Sequence, residues 1–259
     1  MDEFVVIVEN NADAQTAIQL AERVLIDQID WLEQDILVHL YQWSGLLEQT
    51  DCSCWKDIGR IFDQYERSGW KRPKPIGHYK GNPLKADGTV AVKILHLVRH
   101  LQKDRQIRAV LFIRDIDKQP QRKLGLEQAR DKYLGRQLSS SLTIVIGTAN
   151  RMREAWVLNG FFAADEDEEN RLAEIIGHIH FDPCVNSHRL HADSYDEPER
   201  QRNPKIVLEQ LTNGNYEREQ RCWTETDLSR LRERGTQTGL TAYLQEVEDR
   251  LVPILVRGE

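Results

Sequence analysis

The chain has 259 residues, with 35 Lys and Arg against 42 Asp and Glu, a formal net charge of −7, and 40% hydrophobic against 30% charged residues. That balance is ordinary for a globular protein with length enough for a large core, and its sign excludes a protein that coats nucleic acid through bulk charge, though not a local basic groove. Four cysteines are too few for a disulfide framework, no apolar run reaches the roughly 18 residues a bilayer span needs, and the start lacks a secretory pattern, so a cytoplasmic location is expected.

Phe4 to Val8 is an apolar, mostly β-branched run that ends in Glu9, as a fully buried parallel strand would. Ala17, Ile18, Ala21, Val24, Leu25 and Ile29 then recur at helical spacing, which predicts a helix over 13–29 with Asp13 as its N-cap. Ile36 to Tyr41 reads as a second strand, completing a βαβ unit. Residues 44–84 are less regular, with a short helix near Ile58 to Tyr65 and a proline-punctuated segment over 71–77 that must be extended or turning. A helix starting at Asp87-Gly88-Thr89, a strand from Ile107 to Asp115, a charged helix from Arg122 to Leu134, a strand over 142–147 and a short helix from Arg151 to Leu158 follow. This alternation predicts an α/β fold with a mainly parallel, Rossmann-like sheet between helices.

Beyond residue 160 the pattern becomes helical. Asp165 to Glu169 opens a helix ending near Ile179, residues 182–203 read as a long surface loop or cover, and Pro204 to Leu211 and Thr224 to Leu255 read as helices, the latter broken between Gly235 and Gly239. Residues 1–180 are thus expected to form the α/β domain, and 181–259 a loop and helical extension packed on it.

Chemistry is expected at the carboxyl ends of the parallel strands, where Glu9 and the pair Asp115-x-Asp117 fall. Convergent carboxylates suit a hard divalent cation. Two clusters, Arg67, Lys71, Arg72 and Lys74 around Trp70, and Lys118, Arg122, Lys123, Arg130, Lys132 and Arg136, read either as solvated surface or as a basic groove. His178, His180, His188 and His191 have metal-compatible spacings but fit structural roles better, and Cys52-Ser53-Cys54 fits zinc knuckles poorly.

At these residues the chain resembles the TOPRIM superfamily, the metal-dependent module of topoisomerases, DnaG-type primases and OLD-family nucleases, which carries a Glu after its first strand and an Asp-x-Asp after a later one. It looks especially like the small stand-alone TOPRIM relatives of bacterial genomes, whose first strand runs Val-Glu-Gly with a further acid four residues after the Glu; here Val8-Glu9-Asn10 and Asp13 stand there, Asn10 tolerating the turn. The stretch from Arg151 through Glu154-Ala155-Trp156 to Leu158 resembles their Glu-Ala-Trp helix, and Asn203-Pro204-Lys205 through Leu208 their Pro-Lys segment before a C-terminal helix.

The resemblance implies a metal-dependent nuclease. Glu9, Asp13, Asp115, Asp117 and Glu154 would bind Mg²⁺ or Mn²⁺, with Glu9, Asp115, Asp117 and Lys205 in catalysis and Lys205 offsetting phosphate charge. It further implies a nucleic-acid substrate, DNA ahead of RNA, and anti-phage defence beside an ATPase, since this chain has no P-loop of its own. Self-association is compatible with it. Two rivals remain: a non-catalytic TOPRIM-like scaffold subunit of a defence complex, and a doubly wound signalling module using Asp115 as phospho-acceptor.

Overall fold

The strands are β1 (Asp2–Val8), β2 (Tyr41–Ser44), β3 (Ser53–Cys54), the antiparallel pair β4 (His78–Tyr79) and β5 (Asn82–Pro83), β6 (Ile107–Asp115) and β7 (Thr143–Ala149). The structure, a computed structural model, describes residues 1–74, 77–116, 119–135, 142–191 and 199–256. Its main sheet is parallel in the order β2-β1-β6-β7, and β3 continues the β2 edge by pairing with the end of β1. The protein is therefore α/β, with a mainly parallel central sheet flanked by helices.

The helices are α1 (Asn11–Gln28), α2 (Gln34–Leu40), α3 (Ile58–Arg67), α4 (Gly88–Leu101), α5 (Gln121–Leu134), α6 (Arg153–Gly160), α7 (Glu166–Ile179), α8 (Pro204–Thr212), α9 (Tyr216–Thr224), α10 (Leu228–Arg234), α11 (Leu240–Arg250) and α12 (Val252–Val256). Strand alternation divides the core between two faces. Phe4, Val6, Val8, Leu111, Ile113 and Val145 pack with residues of α1, α6 and α11, whereas Val5, Ile7, Val110, Phe112, Ile144 and Ile146 pack with α3, α4 and α5. The central strands are covered on both sides, so their sequences are continuously apolar. Val207, Leu211, Trp223, Tyr243 and Leu251 of the later helices belong to the first of these layers.

Three expectations need correction. Residues 34–40 form α2, and the strand starts only at Tyr41: Ile36, Leu37 and Leu40 share one helical face toward the core while Val38 is 65% exposed, a division that a run this short does not announce. Asn10, one residue before α1, is its N-cap. Its side chain accepts from the N–H groups of Ala12 and Asp13, and Asp13 returns the bond to the Asn10 N–H at 3.0 Å, a reciprocal capping box. Nor is 182–191 a surface loop: Cys184, Ser187 and Leu190 are buried, and the buried Asn159 amide donates to the Cys184 carbonyl and Ser187 Oγ. Among the described residues no helix is long and apolar enough to cross a membrane.

Candidate functional site at the carboxyl edge of the sheet

Because the sheet is parallel, the ends of β1, β3, β6 and β7 open on one rim. Ile7 pairs with Phe112, so two residues later Glu9 comes level with Arg114. Arg114 Nη1 lies 2.7 Å from Glu9 Oε1 and its Nε 2.8 Å from Asp87 Oδ2. Arg122 stands behind, 3.5 Å from the same Glu9 oxygen and 3.6 Å from the same Asp87 oxygen, and donates to the Asp115 carbonyl at 2.7 Å. Trp55, whose indole N–H donates to the Ile113 carbonyl, supports Arg114 from below with the guanidinium 5.1 Å from the ring centre. Two carboxylates and two guanidinium groups thus balance. Glu9 Oε2 accepts no protein hydrogen bond among the described residues, and the Glu9 side chain is 30% exposed.

Asp13 sits in the first turn of α1 and is buried. Burial pushes its carboxyl up to about 6; the Asn10 N–H and Arg153 oppose the shift, while Glu154 and Glu9 add to it. Glu154 opens α6 with the Arg153 guanidinium 3.8 Å away. Arg153 is itself committed to Glu219, to Thr16 Oγ1 at 2.9 Å and to the Trp223 ring. Glu154 and Glu9 are therefore close enough to Asp13 to raise its cost of ionisation.

Asp115 ends β6 opposite Ala149. Alternation assigns it to the face of Leu111 and Ile113, which is the α1 and α6 face that carries Asp13 and Glu154, while Glu9 and Arg114 share the other. Adjacent strand ends bring Glu9 and Asp115 to one rim from its two sides. Asp117 lies outside the described residues. Lys205 is exposed in the first turn of α8, a helix packed on α6 and α7, and no side-chain hydrogen bond or ion pair joins it to the rim among the described residues.

A hard cation can be tested against this donor set. The ligands are oxygen only, one carboxylate oxygen of Glu9 is open, and a buried acid at Asp13 gains by exchanging its proton for a metal. Among the described residues no three His, Cys, Asp or Glu side chains stand close enough to hold a metal by themselves. The residues fit a water-rich Mg²⁺ or Mn²⁺ held by one or two carboxylates and completed by a substrate phosphate, rather than a closed cage.

Asp87 and the two arginines are the rim residues that the motifs did not single out. Of the basic clusters, Arg72 pairs with Asp63 and Glu66, Arg130 with Glu246, and Trp70 is buried against Phe62, while Lys118 and Arg136 lie outside the described residues. Cys184 and Cys222 are buried, and burial pushes the Cys222 thiol up to about 12, which leaves it inert. A groove of about 740 Å³ begins at Asn11 and runs along α1 past Ile18 and Trp43 to Cys52, beside the acids rather than over them. No protein-family model, curated protein or solved structure matches the chain.

Proposed function

We propose that this rim hydrolyses phosphodiester bonds of nucleic acid, DNA ahead of RNA, with Mg²⁺ or Mn²⁺. The supporting observation is that Glu9 and Glu154 stand near enough to Asp13 to add to the burial that raises its carboxyl to about 6, at the sheet edge where β6 also ends in Asp115. One or two of Glu9, Asp13, Asp115 and Glu154 would hold the cation, with water and a substrate phosphate completing its shell and Asp117 added by resemblance. When bound, the ion lowers the pKa of an attacking water and offsets charge on the leaving oxygen. Arg114 and Arg122 hold Glu9 in place through Oε1 and leave Oε2 for coordination. Lys205 enters only through the TOPRIM resemblance, as do cytoplasmic anti-phage defence and an ATPase partner. The test is cleavage of labelled DNA and RNA in Mn²⁺ by wild type, Glu9→Ala and Asp115→Asn. Activity confined to wild type supports the reading, and its absence from wild type with both metals overturns it.

A second reading, a non-catalytic interaction subunit, is favoured by one observation: the arginines already satisfy Glu9 Oε1 and Asp87. Calorimetric titration with Mn²⁺ separates the two, because a scaffold has no need of a cation that Glu9→Ala abolishes.

A further inference from the structure

Arg151 follows β7 at the rim and holds a φ of +80°, a left-handed backbone that L side chains rarely adopt and glycine adopts freely. The turn is firmly fixed: the Asn150 backbone N–H donates to the Thr238 carbonyl and its side-chain amide to the Gln237 carbonyl, both at 2.8 Å. A long cationic residue is thus kept where the backbone would favour none, and strain of this kind gathers at sites that use it.

Its guanidinium is also uncommitted. Arg114, Arg122 and Arg153 are all paired with acids, whereas Arg151 Nε is shielded from solvent without a hydrogen-bond partner, and no ion pair engages the side chain among the described residues. A second orphan lies beside it. His188 Nδ1 is shielded and without a partner, and burial, Arg189 and the nearby Arg151 charge hold its imidazole below the usual value. The following helix α6 has no side-chain cap at Met152, so no side chain there satisfies its first N–H groups. Unpaired shielded donors are costly until an acceptor arrives. Oxyanions meet that need, and a guanidinium fork matches phosphate geometry better than an ammonium does.

We propose that Arg151, with His188 beside it, forms a phosphate subsite that grips the nucleic-acid backbone next to the acidic rim. The subsite rests on the nuclease reading for its substrate class but not for its existence, since it needs no metal to bind. Arg151 is a substrate-positioning residue in this scheme, and the scissile phosphate itself is left to the carboxylates.

Arg151→Gly is the informative variant, because it removes the guanidinium and relieves the backbone together, so folding is retained. Binding of a short labelled single-stranded DNA is measured in EDTA over a salt series, and cleavage in Mn²⁺. Glycine should lower affinity at least tenfold, raise KM more than it lowers kcat, and reduce the slope of log K against log salt by about one. Arg151→Lys should restore part of the affinity and His188→Ala should lose less than glycine. Inorganic phosphate should compete with DNA for wild type more strongly than for the glycine variant. Unchanged DNA affinity in Arg151→Gly, or equal competition by phosphate in both proteins, overturns the subsite even where wild type cleaves. Arg151-dependent binding in EDTA by a wild type that cleaves nothing in Mn²⁺ supports the subsite and removes the nuclease reading instead.

Discussion

Arg114 Nη1 lies 2.7 Å from Glu9 Oε1 while its Nε lies 2.8 Å from Asp87 Oδ2, so one guanidinium serves two acids carried by different elements. All three side chains are largely shielded, at 13%, 30% and 19% exposure, and removing the shared cation leaves both carboxylates to the more distant Arg122 alone. Arg114→Gln should therefore destabilise the protein by about 2 kcal/mol, less than the usual cost of breaking a buried pair, since water reaches Glu9 and Arg122 stays beside both acids. A divalent cation can replace the lost charge. Mn²⁺ should raise the urea midpoint of Arg114→Gln more than that of wild type, and equal shifts would mean that the ion does not take over the lost positive charge.

Asp13 makes a prediction of opposite sign. Its folded carboxyl is raised to about 6 from an ordinary value of 3.8, so folding favours the protonated form. Below about pH 4 both states are protonated and nothing is lost; the penalty grows as pH rises through the interval and is complete above about 6, where two units amount to about 3 kcal/mol. Asp13→Asn keeps an acceptor for the Asn10 N–H but cannot ionise. Chemical unfolding should find the variant more stable than wild type at neutral pH and equal to it in acid. Cation affinity runs the other way, strengthening in wild type as pH rises through about 6 and losing that dependence in the variant.

The parallel sheet was legible because β1, β6 and β7 are buried on both faces and so carry unbroken apolar runs. Glu9 and Asp115 were legible as the points where those runs stop. The counter-charges were not, although strand parity held the clue. Arg114, directly before Asp115, must leave on the face of Val110 and Phe112, the same face as Ile7 and the residue two beyond it, Glu9. Arg122 looked like one member of a basic surface and Asp87 like a helix start, since their meeting depends on a fold that joins positions up to 113 apart in the chain. The same holds for 182–191. Polar composition suggested solvent, whereas Asn159 draws the segment inward by hydrogen bonds to Cys184 and Ser187 that no local pattern encodes.

At the opposite end of β1, Glu3 provides a control that should alter stability without touching the rim. Its carboxylate receives Arg105 Nε at 3.1 and 3.2 Å, and Arg105 also donates to Ser44 Oγ and to the carbonyls of Gly45 and Leu46. Burial alone would raise the Glu3 carboxyl, but the hydrogen bond and charge of Arg105 outweigh it and hold it below 4.5. A lowered value means the stabilisation is full above about pH 4.5 and disappears as pH falls through the folded value. Glu3→Gln should cost about 2 kcal/mol at neutral pH, with a difference from wild type that shrinks in acid. Mn²⁺ binding and cleavage by the folded variant should be unchanged; a loss of either would tie the rim to the far edge of the sheet.

Gly147 connects the core to the rim. A Cβ there would come within 2.7 Å of Ile113 Cδ1 and of Tyr243 Cδ2. Tyr243 cannot retreat easily: it is fully buried, its hydroxyl donates to the Ala17 carbonyl at 2.8 Å, and its ring stacks on Trp156 at 5.2 Å between centres. Trp156 belongs to α6, the helix that carries Glu154 and follows Arg151. Gly147→Ala should cost about 2 kcal/mol through overpacking and should change the near-ultraviolet dichroism of the Trp156–Tyr243 stack. Placed in a Tyr243→Leu background, where the smaller side chain leaves room, the alanine should cost less, and a double-mutant cycle on Tm and urea midpoint measures the difference. Equal costs in the two backgrounds would mean that the tyrosine ring does not set the requirement for glycine and that Ile113 alone resists the methyl group.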